Sequence, residues 1–170
     1  MREIKFRGKR IDTNEWVYGY LVNSGHQINP YVEFWWIAQN RYNIGTVFNE
    51  ESCDDTFIWN RVELDTICQY TGLKDKNGIE IYEGDIVRAT YLEEREYDGE
   101  KWLDKSEHIE QIKWVDKLGA FVLLLYIEDI PMYRTMEIGS KHNKVELVSY
   151  EVIGNIYDNQ ELIEENDYDK

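Results

Sequence analysis

The chain has 170 residues, 42% hydrophobic and 14% aromatic, which is enough for one good core or two small ones and argues against intrinsic disorder. Its net charge is −15, and segments 91–111 and 158–170 hold two thirds of it. Phosphate contacts dominate nucleic-acid affinity, so this balance disfavours binding to duplexes or anionic membranes through a general basic surface.

The predicted elements are strands, because β-branched and aromatic residues recur with period two. Residues 4–7 alternate apolar and basic. Asp12, Thr13, Asn14 and Glu15 form a turn cluster, and residues 16–22 return, so 3–22 should be a hairpin. A third strand is expected over 31–37, with the adjacent pair Trp35 and Trp36. A short apolar piece follows at 46–48, and a fourth strand over 56–62. Residues 66–70 open the second half. Asn77-Gly78 should supply the positive φ angles of a type I′ hairpin turn. Glu83, Gly84 and Asp85 should turn again and launch a strand at Ile86. Residues 93–107 are an acidic excursion, either a long hairpin loop or an extended ribbon tip. A turn at 116–119 leads into a strand over 120–126; residues 128–144 are expected to be irregular. Residues 151–157 close the sheet, and Asp158 or Asn159 can cap a short helix over 160–165.

Chemistry is hard to find in this pattern. His26, His108 and His142 are scattered, and Cys53 and Cys68 are fifteen apart, whereas zinc sites cluster their ligands at short spacing. The segment starting at Asp75 lacks the glycine position and bidentate glutamate of a calcium loop. Asp85 is expected to bond a backbone N–H in its turn. No catalytic, cofactor or metal residue is singled out, and the chain is expected not to be an enzyme. Two groups remain as candidate partner contacts. Lys5, Arg7 and Lys9 share one face of the first strand, and that face is expected to be a solvated one that discourages edge pairing. Trp35 and Trp36 must point to opposite faces, so either one is exposed or the strand is covered on both sides. No run approaches the roughly 20 apolar residues of a bilayer span, and residues 1–20 lack a signal-peptide core. The expectation is therefore a chain in the cytoplasm with both cysteines as thiols.

Three blocks, REIKFRGKRIDTNEWVYGYL, QYTGLKDKNGIEIYEGDIV and YEVIGNIYDNQELI, resemble in content and order the signature blocks of the YopX family of phage and prophage proteins. The resemblance implies a mainly β protein built on small SH3-like barrels, in a bacterial host cytoplasm, and no established activity. The resulting organisation is an N-terminal β lobe over 1–63 that includes the hairpin, an SH3-like barrel region over 64–165 with the acidic insertion and the short C-terminal helix, and a frayed tail at 166–170. The function expected is non-enzymatic binding of a host or phage protein, with self-association compatible and nucleic acid and membrane disfavoured. Two alternatives stand beside it: an acidic mimic of nucleic acid that occupies a host DNA-binding protein, and a hydrolase or nucleotide-modifying enzyme with a scattered carboxylate site.

Overall fold

A computed structural model describes residues 3–23, 35–40, 57–127, 130–142 and 144–164. The apolar piece at 46–48, the start of the third strand, His26, Cys53 and the tail lie outside the described residues. The chain divides into two compact units, Met1–Tyr70 and Thr71–Lys170. It is mainly β, with antiparallel sheets and, among the described residues, one short helix.

In the first unit, β1 (Phe6–Lys9) and β2 (Trp16–Asn23) form the expected hairpin, with Asn14 at φ 59° in its turn. β3 (Trp35–Asn40) and β4 (Phe57–Arg61) add outward from β2, and the start of β5 (Cys68–Lys74) pairs on the other side of β1. A single 3-10 turn, Leu64–Thr66, precedes β5. Period-two alternation places Val17 and Ile37 on the inner face, where they pack with Val62, Phe6, Leu21, Trp35 and Ile67. Cys68 is buried, and its thiol donates to the Thr66 carbonyl at 3.3 Å.

Gly19 on β2 is required by close approach. A Cβ there would lie 2.2 Å from the backbone oxygen of Ala38. Backbone cannot swing aside as a side chain can, so Gly19→Ala is expected to cost at least about 2 kcal/mol, within the usual range for overpacking. A urea-unfolding midpoint equal to that of the parent would show that β2 and β3 separate without penalty.

In the second unit, β6 (Glu80–Tyr82) returns beside the end of β5. Then come β7 (Asp85–Tyr97), β8 (Glu100–Val115), β9 (Ala120–Ile127), β10 (Ile130–Thr135), β11 (Lys141–His142) and β12 (Val145–Asn155). The sheet order is β10-β9-β8-β7-β12-β11. Val87, Ala89, Tyr91, Ile112, Leu123, Leu147 and Tyr150 form one buried face, closed by Ile81 and Met136. The helix α1 (Glu161–Glu164) follows β12. Asn159 does not cap it with its side chain but accepts from the Asn155 N–H at 3.4 Å.

Three expectations need correction. The described ladders do not close on themselves, so no closed barrel is present among the described residues. Segment 128–144 is not irregular where described, because it contains β10 and β11. The Asn77-Gly78 turn is not type I′: Gly78 has φ 83°, whereas Asn77 is not among the residues with positive φ. The Gly78 N–H donates to Asp75 O and the Asp75 N–H to Ile79 O, which is the pattern of a type I turn followed by a left-handed glycine. The Asp75 carboxylate selects it by accepting from the N–H groups of Asn77 and Ile79. The turn with two positive φ values is instead Asp98-Gly99, at 50° and 80°, which joins β7 to β8.

Candidate interaction surface and a buried polar cluster

The expected solvated face of β1 is not solvated. Arg7 and Lys9 are 6% and 8% exposed, and Lys5 is half-buried. β1 lies inside its sheet, between β2 and β5, so neighbouring side chains close over it. The Arg7 guanidinium lies 4.6 Å from the centre of the Trp16 ring, and the Lys9 ammonium 5.4 Å. The aliphatic stems bury against the sheet while the charges meet the negative face of the indole. Trp35 and Trp36 split across the two faces of β3, as strand geometry demands, and each is half-buried. Trp35 packs on the core of the first unit. The structure therefore does not gather these five residues into an exposed patch.

The most exposed apolar side chains of the second unit include those at the end of the β7–β8 ribbon. Of the two readings for residues 93–107, the structure shows the ribbon. The two strands pair without interruption from Ile86↔Gln111 to Tyr97↔Glu100. β12 flanks β7 only as far as Val145↔Glu93, and one further bond runs from the Glu94 N–H to Lys144 O. β9 flanks β8 only from Gln111 onward. Residues 94–103 thus extend past both neighbours as a two-stranded arm. Tyr97 is 78% exposed, Trp102 48% and Leu103 62%. On one face Arg95 stands opposite Trp102 and is held by Glu93 at 2.8 Å and Asp104 at 3.2 Å. These surface ion pairs add little stability, and they leave the arm net negative.

A second feature went unnoticed in the sequence. Glu110 is fully buried on the core face of β8, between His108 and Ile112 in the alternation and opposite Val87 of β7. The Tyr91 hydroxyl donates to both of its oxygens, at 2.9 and 3.0 Å. Arg134 reaches from β10 across β9 and donates to Glu110 Oε1 at 3.2 Å, its guanidinium lying 4.6 Å from the centre of the Tyr91 ring. The His108 ring tilts against Tyr91 at 5.6 Å. Burial pushes the Glu110 carboxyl above its ordinary range, and the Arg134 charge and the Tyr91 hydroxyl oppose that only in part. Burial and the Glu110 charge raise the Tyr91 phenol. Burial, then Arg134, lowers His108. One strap of side chains therefore ties three strands across the core face. Its sequence signal is a charged residue at a core position of the alternation in HIEQI.

The block QYTGLKDKNGIEIYEGDIV is explained by its carboxylates. Asp75 Oδ1 accepts from Asn77 and Ile79 at 2.8 and 2.9 Å, and Oδ2 accepts from the Val152 N–H of β12 at 3.0 Å. Asp85 Oδ2 accepts from the Tyr82 N–H at 2.8 Å, as expected. Gly84 turns at φ 78°, with its N–H on Ile112 O and its carbonyl accepting from Ile156. A family model described as YopX protein matches residues 5–164. The chain belongs to the YopX family. In this YopX-family chain the central block is thus a set of backbone anchors that fasten a hairpin turn to β12 and start β7. The chain is also similar to a crystal structure of protein EF1440 from Enterococcus faecalis, with 22% identity over 96% of this chain and 99% of that one and a TM-score of 0.44. No curated protein matches it. Among the described residues no helix is long and apolar enough to cross a membrane, and no group of three or more metal-ligating side chains gathers.

Proposed function

We propose that this YopX-family chain is a non-enzymatic accessory protein of a phage or prophage, and that it acts in the host cytoplasm by gripping another protein with the end of its β7–β8 ribbon. The observation that carries this reading is the arm itself. It outruns both flanking strands and presents Tyr97, Trp102 and Leu103 to solvent. Aromatic side chains on a preformed element bury large area at small entropic cost and are enriched among the residues that dominate protein interfaces. Glu94, Glu96, Asp98 and Glu100 surround them and repel phosphate, which favours a protein over a nucleic acid. The same carboxylates, spaced along a narrow ribbon, support a second reading in which the arm imitates nucleic acid on a DNA-binding protein.

Photo-crosslinking tests both. A benzophenone amino acid replacing Tyr97 or Trp102 is expected to give a discrete protein adduct in bacterial lysate, identified by mass spectrometry. The same probe at Leu118, whose exposure of 58% lies between those of Trp102 and Tyr97, should not. Adducts of equal yield from all three positions, or none from the arm, would overturn the proposal. Loss of the adduct when competing duplex DNA is present during irradiation would select the mimic.

A further inference from the structure

We infer that β10 is the self-association edge of this protein, pairing antiparallel with β10 of a second copy about Tyr133. Among the described residues β10 ends its sheet and pairs only with β9. Edge strands invite further pairing, and proteins commonly guard them with charge. The β8 edge that runs past β9 is guarded in this way by Lys101, Asp104, Lys105 and Glu107. β10 is not. Ile130, Met132 and Tyr133 are 62%, 41% and 50% exposed, Pro131 is exposed too, and Tyr126 stands beside them on β9. Arg134, the one charged residue of β10, is turned inward to Glu110.

The hydrogen-bonding pattern of the edge favours a second copy. Pro131 sits opposite Tyr126 inside a paired strand, and a proline nitrogen, which has no hydrogen to donate, belongs on the side away from the ladder. Amide directions alternate along an antiparallel strand. Tyr133 and Thr135 therefore also present N–H and C=O on the open side. Placed antiparallel to itself with Tyr133 opposite the partner's Tyr133, the strand makes four backbone hydrogen bonds. The Tyr133 N–H donates to the partner's Tyr133 carbonyl, and reciprocally. The Thr135 N–H donates to the partner's Pro131 carbonyl, and reciprocally. Proline is needed only as an acceptor, so it does not block the pairing. A two-fold contact sets a surface against itself, and in a chain of net charge −15 the strip best suited to that is one without carboxylates. Residues 130–135 have none. The same register lays the two Tyr133 rings side by side with Tyr126 at each flank, one apolar face shared between copies.

The test uses the full chain. Directly opposed residues of a hydrogen-bonded antiparallel pair have Cα atoms about 5.5 Å apart, inside the range a disulfide spans. Under mild oxidation Tyr133→Cys is expected to give a covalent dimer on a non-reducing gel, while Val148→Cys, also exposed, gives little. Wild type should sediment at micromolar concentration as twice 20.4 kDa. Tyr133→Pro removes an outward N–H and the exposed ring but no bond to β9, so it should sediment as a monomer with an unchanged circular-dichroism spectrum. A monomeric wild type, a dimer that survives Tyr133→Pro, or a Tyr133→Cys chain that crosslinks no better than Val148→Cys would each overturn the inference.

Discussion

Replacing Arg134 by leucine is expected to destabilise the second unit by about 3 kcal/mol at neutral pH, the low end for breaking a buried ion pair, because the guanidinium is itself 28% exposed. The loss follows from what remains. Glu110 stays fully buried with only the Tyr91 hydroxyl to hold its charge. Its carboxyl is already raised by burial, and Arg134 is the larger of the two opposing influences, so the substitution raises it further. A carboxyl raised in the fold keeps its proton where the unfolded chain has lost it. The stability it contributes is present below the unfolded value, about 4.3, and is lost as pH rises through the folded value. The Arg134→Leu defect should therefore shrink steadily on acidification from neutrality toward that unfolded value. Glu110→Gln should be within about 1 kcal/mol of wild type, since replacing a buried charge is often neutral or stabilising, and it should flatten the pH dependence. Urea midpoints across this range decide the matter. A defect in Arg134→Leu that does not change with pH would mean that Glu110 is not the group responsible.

Asp75→Ala should cost a similar amount, at least about 3 kcal/mol. Its carboxylate accepts three backbone N–H groups, two in its own turn and one from Val152 on β12, and a hydrogen bond to a charged group is worth roughly 1.5–3 kcal/mol. Burial pushes this carboxyl up, but the donors Val152, Ile79 and Asn77 outweigh it and leave it below the ordinary carboxylate range. The stabilisation is thus present above the unfolded value, about 3.9, and disappears only as pH falls through the depressed folded value. Asp75→Asn keeps one acceptor oxygen and should recover part of the loss. If Asp75→Ala unfolds within about 1 kcal/mol of the parent, the work of these bonds is done by water.

Features written locally are legible in the sequence. The β1–β2 hairpin follows from alternation and a four-residue polar turn. The left-handed Gly78, the turn bond of Asp85 and the short helix after Asn159 each depend on residues within a few positions. What escaped depends on neighbours far along the chain. Arg7 and Lys9 look like a solvated face only until Trp16 and β5 are set beside them. β10 hides because Pro131 interrupts its pattern, and only its pairing with β9 shows the proline to be an edge residue. Asn77-Gly78 matches a type I′ signature, yet an aspartate two residues earlier overrides it. Glu110 belongs to a core row by alternation, but its partners come from β7 and β10. That Trp35 and Trp36 face opposite ways follows from strand geometry alone; their half-burial rests on strands from both sides.

The bond from Val152 to Asp75 spans 77 positions, and this sets an order of events for the nascent chain. Of the described strands, β12 is the last to be synthesised. Until it arrives, β7 lacks one neighbour and the carboxylate of Asp75 lacks one of its three donors. The β7–β8 and β9–β10 hairpins can form early, since their closures are short. Completion waits on a single long closure, the kind of contact that slows folding. Throughout that interval the turn most distinctive of the sequence is held by its local bonds alone, and it becomes rigid only once β12 has been added.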